Sequence, residues 1–178
     1  MDNGLIPRRY AKALYKYALE KGETKRIYDL SKRVIDAFRE NPDLQKVLSN
    51  PFINAEDKEK SLLLAAGGKD EIFDQFVQLI ITQKRVEFAY AMMLAYRDIY
   101  RKENHISQAK ITTAVKLDKA RMDKLRELVT KAFKDSVLEF SEAVDPDIIG
   151  GFKIDVDSVR MDASLSNELE QLRQTLLS

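Results

Sequence analysis

The apolar residues of this chain first leave helical spacing near residue 105, and that change limits the fold more than any other feature. Through the first hundred residues they recur three and four apart, the period of a helix with one buried face. After the stretch 102–107 alternating runs appear, as in Phe152-Lys153-Ile154-Asp155-Val156, the period of a strand buried on one side. The expected architecture is mainly α: an N-terminal six-helix bundle over residues 1–104, then a small α+β domain over 105–178.

Gly, Pro and capping residues punctuate the first part. Ile6, Tyr10, Ala13, Leu14, Tyr17 and Ala18 form the first stripe, and Gly22 ends it. A second helix from Thr24 turns Ile27, Leu30, Val34 and Phe38 inward. Asn41-Pro42 reads as the N-cap and first-turn Pro of a short helix carrying Leu44, Val47 and Leu48, which Pro51 breaks. Asn54 opens a fourth helix that stops at Gly67-Gly68. Residues 70–83 make a fifth, and 86–103 a sixth that buries Ala89, Met92, Met93, Tyr96, Ile99 and Tyr100.

The fifth helix is apolar over too wide an arc for one neighbour. Ile72, Phe73, Phe76, Val77, Leu79, Ile80 and Ile81 nearly encircle it. Such a helix is either central in its bundle or offers a second face to an amphipathic partner helix.

In the second part, residues 106–115 read as a strand with Ala109, Ile111 and Thr113 on one side. Asp118 caps an amphipathic helix bearing Met122, Leu125, Val129 and Ala132, and 136–143 form a further strand. Asp157-Ser158 is a hairpin turn between 152–156 and 159–161. Leu165, Leu169, Leu172 and Leu176 then mark one stripe of a terminal helix.

Little here points to chemistry. The chain has no Cys and one His, so disulfides, thiol catalysis and His-cluster metal sites are not expected. Asp145-x-Asp147 and Asp155-x-Asp157 lack the ligand register of a calcium loop and read as turn and strand-edge acids. Gly150-Gly151 has no Lys-Ser/Thr after it, so it reads as a strand entry or bulge rather than a phosphate loop. His105 reads as a solvated linker residue. No nucleophile motif, cofactor site or metal site is expected. Residues 1–9 lack the apolar core of a secretory signal, and no apolar run approaches the roughly 20 residues of a membrane span. A protein kept in the cytoplasm, or docked on a membrane complex from that side, is expected.

Charge is unevenly placed. Residues 1–104 carry 19 Lys/Arg against 16 Asp/Glu, and 105–178 carry 11 against 13. Residues 8–39 hold ten basic against four acidic side chains. They are interleaved and spread over two helices, which reads as a solvated bundle face rather than a nucleic-acid or anionic-lipid footprint.

The last third combines Asp145-Pro146, Ile148-Ile149, Gly150-Gly151, the strand 152–156, Asp162-Ala163-Ser164 and the Leu-patterned 165–172. In that order these resemble the C-terminal signature of the ATP synthase delta subunits, relatives of the mitochondrial oligomycin-sensitivity-conferring protein. Arg9-Tyr10-Ala11-Lys12-Ala13-Leu14, Leu48-x-x-Pro51, Lys84-Arg85 and Thr112-Thr113-Ala114-Val115-Lys116-Leu117 resemble further motifs of that family. Ala163 stands where the family usually has Gly, and Ser166-Asn167-Glu168 where many relatives carry basic or small residues.

The resemblance implies a non-catalytic stator subunit of the proton-translocating ATP synthase, one copy per complex. It implies a position peripheral on the cytoplasmic face of the bacterial inner membrane, without a span of its own. The bundle would hold the N-terminal helix of an alpha subunit in a groove between the first and fifth helices. The residues so implicated are Tyr10, Ala13, Leu14, Tyr17, Phe76, Leu79 and Ile80. The C-terminal domain would meet the b subunits of the peripheral stalk. The rival readings are a cytoplasmic helical adaptor for an amphipathic helix of another complex, and a nucleic-acid binder using the basic first hairpin.

Overall fold

Side-chain acceptors at helix starts explain where several of the elements begin. Asn54 Oδ1 accepts the Asp57 N–H at 2.7 Å and opens α4, and Asp70 Oδ1 accepts from Ile72 and Phe73 at 3.1 and 3.2 Å to open α5. The computed structural model describes residues 4–134, 136–167, 169 and 174. The chain divides into two compact units, Met1–Glu103 and Asn104–Ser178.

The first unit is helical: α1 (Leu5–Glu20), α2 (Thr24–Glu40), α3 (Asp43–Ser49), α4 (Ala55–Ala65), α5 (Glu71–Thr82) and α6 (Ala89–Glu103), with a 3-10 turn over Val86–Phe88. Both α1 and α2 pack on α6, while α4 packs on α5 and α2, and α1 also meets α5. Ile27, Val34, Phe73, Val77, Ile80, Met92, Met93 and Tyr96 make the centre, each fully buried or nearly so. Tyr28 stacks on Tyr100 with ring centres 4.2 Å apart. The Tyr96 hydroxyl donates to the Thr24 carbonyl at 3.0 Å. Burial, helped by Tyr15 and Tyr100, pushes the Tyr96 phenol well above its ordinary pKa, so it stays a neutral donor.

Three details depart from expectation. Asn41 does not cap α3: its N–H and Nδ2 both donate to the Ala37 carbonyl, so it closes α2. Pro42 takes the cap position, and only Leu48 of α3 is buried, Leu44 and Val47 being half-buried. Ile99 is also half-buried, because it lies on the flank of α6 rather than on its inward stripe.

The second unit holds a four-stranded sheet with a helix packed on one face. Its elements are β1 (Ile106–Thr113), α7 (Lys119–Ala132), β2 (Val137–Val144), β3 (Gly151–Val156) and β4 (Val159–Ser164), in the order β2-β1-β3-β4. β1 and β2 are parallel, from Ile106↔Val137 to Thr113↔Val144, and α7 is the crossover that such a pair needs. β3 runs antiparallel to β1, and β4 to β3. Ala109, Ile111, Ile154 and Val156 form one face and pack with Met122 and Val129 of α7. Ala132, expected on the same stripe, is exposed at the end of α7, past the sheet contact. The opposite face carries charge, including the pairs Lys153–Asp162 and Arg160–Asp155.

Gly151 enters β3 with φ +75°, and a Cβ there would lie 2.1 Å from the Ala163 carbonyl oxygen. Glycine is therefore required where the β3–β4 pair closes. Residues 165–167 and 169 are helical, and Leu165 and Leu169 are exposed; Leu172 and Leu176 lie outside the described residues.

Candidate functional site

The buried stripe of α1 is Pro7, Ala11, Leu14 and Ala18. At about 100° per residue, Tyr10, Ala13 and Tyr17 lie on one flank of that stripe. On α5 the buried arc is Ile72, Phe73, Phe76, Val77 and Ile80, and Leu79 falls beside it with Gln75. These two flanks meet. Tyr17 Oη donates to Gln75 Oε1 at 2.8 Å across the α1–α5 contact. The start of α5 is held by its Asp70 cap, which also pairs with Arg26 of α2 at 2.9 Å.

The seven residues that the resemblance implicates separate into three groups. Leu14, Phe76 and Ile80 are buried, so they form the floor beneath the seam and belong to the unit's own core. Tyr10 and Tyr17 are half-buried at its edge. Ala13 and Leu79 face solvent, Leu79 with 46% of its surface exposed. The wide apolar arc of α5 is thus mostly core, with Leu79 as its outward remainder. Gln75 was not legible as part of the seam, since a polar residue gives no periodic signal; only its place one turn before Leu79 could have suggested it.

A second apolar surface lies on the other unit. Leu125, Leu128 and Val129 of α7 face Phe152, Val159 and Met161 of the β3–β4 hairpin around a cavity of about 120 Å³. One helix, about 10 Å across, cannot cover four strands spaced nearly 5 Å apart. Val159 and Met161 are consequently more than half exposed. The sequence signal for this groove was Leu128, off the α7 stripe but still apolar.

The residues weighed for chemistry have structural tasks. Asp145 accepts from the Asp147 N–H at 3.1 Å, and Asp157 from the Gln108 N–H at 3.1 Å. His105 is exposed at φ 51°, and its carbonyl accepts from Val137. Among the described residues no group of three His, Cys, Asp or Glu could hold a metal ion. No described helix is long and apolar enough to cross a membrane.

Known proteins resemble the chain along almost its whole length. The family model described as ATP synthase delta (OSCP) subunit matches residues 6–176. A protein of Parabacteroides distasonis named ATP synthase subunit delta is 37% identical, over 99% of this chain and 98% of its own. One of the same name from Phocaeicola vulgatus is 36% identical, over 98% and 95%. A chain in the structure of the Toxoplasma gondii mitochondrial ATP synthase hexamer has a similar fold, with a TM-score of 0.69, 18% identity and 97% of each chain covered.

Proposed function

The chain belongs to the ATP synthase delta (OSCP) subunit family, and on that premise we propose how it performs its stator role. The first unit is the six-helix bundle that grips the catalytic head by receiving the N-terminal helix of an alpha subunit along the α1–α5 seam. The second unit meets the b subunits of the peripheral stalk through the groove between α7 and the β3–β4 hairpin. The protein acts without chemistry of its own, one copy per complex, on the cytoplasmic face of the membrane. Its part in proton-driven ATP synthesis is mechanical: it keeps the head from turning with the shaft.

The observation that carries this reading is Leu79, exposed beside the buried Phe76 and Ile80 and next to the Tyr17–Gln75 bond. An exposed apolar side chain close to an amphipathic tyrosine is what an amphipathic helix buries when it lies in a groove. A large share of such binding rests on a few apolar anchors and is expressed as slow release. Titrating a synthetic peptide of the alpha-subunit N-terminus into the full chain tests it. Saturable heat or anisotropy is expected, and no response at high micromolar peptide overturns the α1–α5 assignment.

A further inference from the structure

The basic residues of the first helix are left over by that role, and two of them border a second groove. On the flank of α1 opposite Tyr10, Ala13 and Tyr17 lie Arg8 and Lys12. Between this flank and α6 runs an open groove of about 570 Å³. Its floor is Pro7, Ala91, Leu94, Ala95 and Ile99, buried or half-buried. Small side chains on that floor let another backbone come close, and Leu94 and Ile99 leave apolar surface to cover.

The rim is cationic. Arg8, Lys12 and Lys102 are exposed and make no ion pair among the described residues. The one acid on the rim, Asp98, is already paired with Arg97 at 3.1 Å. Unpaired cations around an apolar floor favour an occupant with apolar and acidic faces. A bare phosphate backbone would leave the floor uncovered.

We propose that the α1–α6 groove is a second docking site, for an acidic amphipathic helix of a partner protein. It lies on the far side of α1 from the seam assigned to the alpha subunit, so both can be filled at once. The groove follows α6 from Ala91 to Lys102, about 16 Å, which accommodates three turns of helix.

The test uses the full chain and a fluorescein-labelled 16-residue synthetic helix, with Leu and Ala on one face and Glu on the other. A control peptide has every Glu replaced by Lys. The Glu peptide is expected to bind saturably and the Lys peptide not. Arg8→Glu with Lys12→Glu and Lys102→Glu should weaken binding by about tenfold or more. Ala95→Phe, which fills the floor without changing charge, should do the same, whereas Leu79→Asp should leave this peptide's affinity unchanged. Circular dichroism confirms that each variant is folded. Equal binding of both peptides, or indifference to both groove variants, overturns the proposal. So does binding of phosphatidylglycerol vesicles with the same charge dependence while the Glu peptide stays unbound. Loss of the alpha-peptide signal with the Glu-peptide signal kept would overturn only the seam.

Discussion

Leu79 and Phe76 sit one helical turn apart on the same helix, yet substitutions at them should report different things. Phe76 is 5% exposed, so Phe76→Asp puts a carboxylate into the core and is expected to unfold the first unit. Leu79→Asp should leave the thermal midpoint nearly unchanged and weaken the alpha-peptide complex by about 2 kcal/mol, measured by calorimetric titration. Affinity equal to wild type would remove Leu79 from the seam. Spacing showed that α5 was apolar nearly all round; which side chain remained outside was decided by neighbours on α1, α4 and the Val86–Phe88 turn, and no local pattern carries that. Gly151 is a sharper case. Gly151→Ala adds about 1–3 kcal/mol of backbone strain at φ +75° and a collision with the Ala163 carbonyl. The urea midpoint of the second unit should fall accordingly.

Asp162 gives a pH dependence. The Ser164 hydroxyl and N–H, with Lys153 nearby, hold its carboxyl below the ordinary value of 3.8. Because the folded value is the lower one, its stabilisation is complete above pH 3.8 and is lost as pH falls through the folded value. Amide exchange at Ser164, compared at constant intrinsic rate, should therefore accelerate on acidification below that range. In Asp162→Asn this acid step should be absent.

At the scale of elements, most caps and the β3–β4 hairpin were legible, and pairing between distant strands was not. Asp118 accepts the Arg121 N–H at 2.8 Å where α7 was expected to start, and Asp157-Ser158 separates β3 from β4 as the alternation implied. These signals lie within a few residues of what they specify. The parallel pairing of β1 with β2 joins residues about thirty apart, and its only trace was an amphipathic helix between two alternating stretches. Asn41 misled because Asn before Pro favours both closing one helix and opening the next; the Ala37 carbonyl won it. Asp70 combines a cap with the Arg26 pair, its side chain only 12% exposed. Asp70→Ala should cost about 1–2 kcal/mol in chemical denaturation, and a change within error would mean that α5 starts without its cap.

Across the whole molecule, two cores are separated at Glu103 and Asn104. Each has its own fully buried side chains, Met92 in the first and Ile111 in the second. Scanning calorimetry should resolve two transitions, or one broad one whose van't Hoff enthalpy falls short of the calorimetric value. Met92→Ala, at about 2–5 kcal/mol, should lower one of them and Gly151→Ala the other. A single two-state transition moved equally by both would show that the cores unfold as one.

The chain enters the second unit through β1, and β1 is an inner strand with β2 on one side and β3 on the other. A pull applied along β1 would cross ladder bonds that stand at right angles to the strand toward β3 and slanted toward β2. Those bonds are strained together, not peeled one after another as they would be at a sheet's edge. Eight paired positions toward β2 and five toward β3 must yield at nearly the same extension. A load applied along β1 would thus be taken in shear, by the strand with the most paired positions among the described residues.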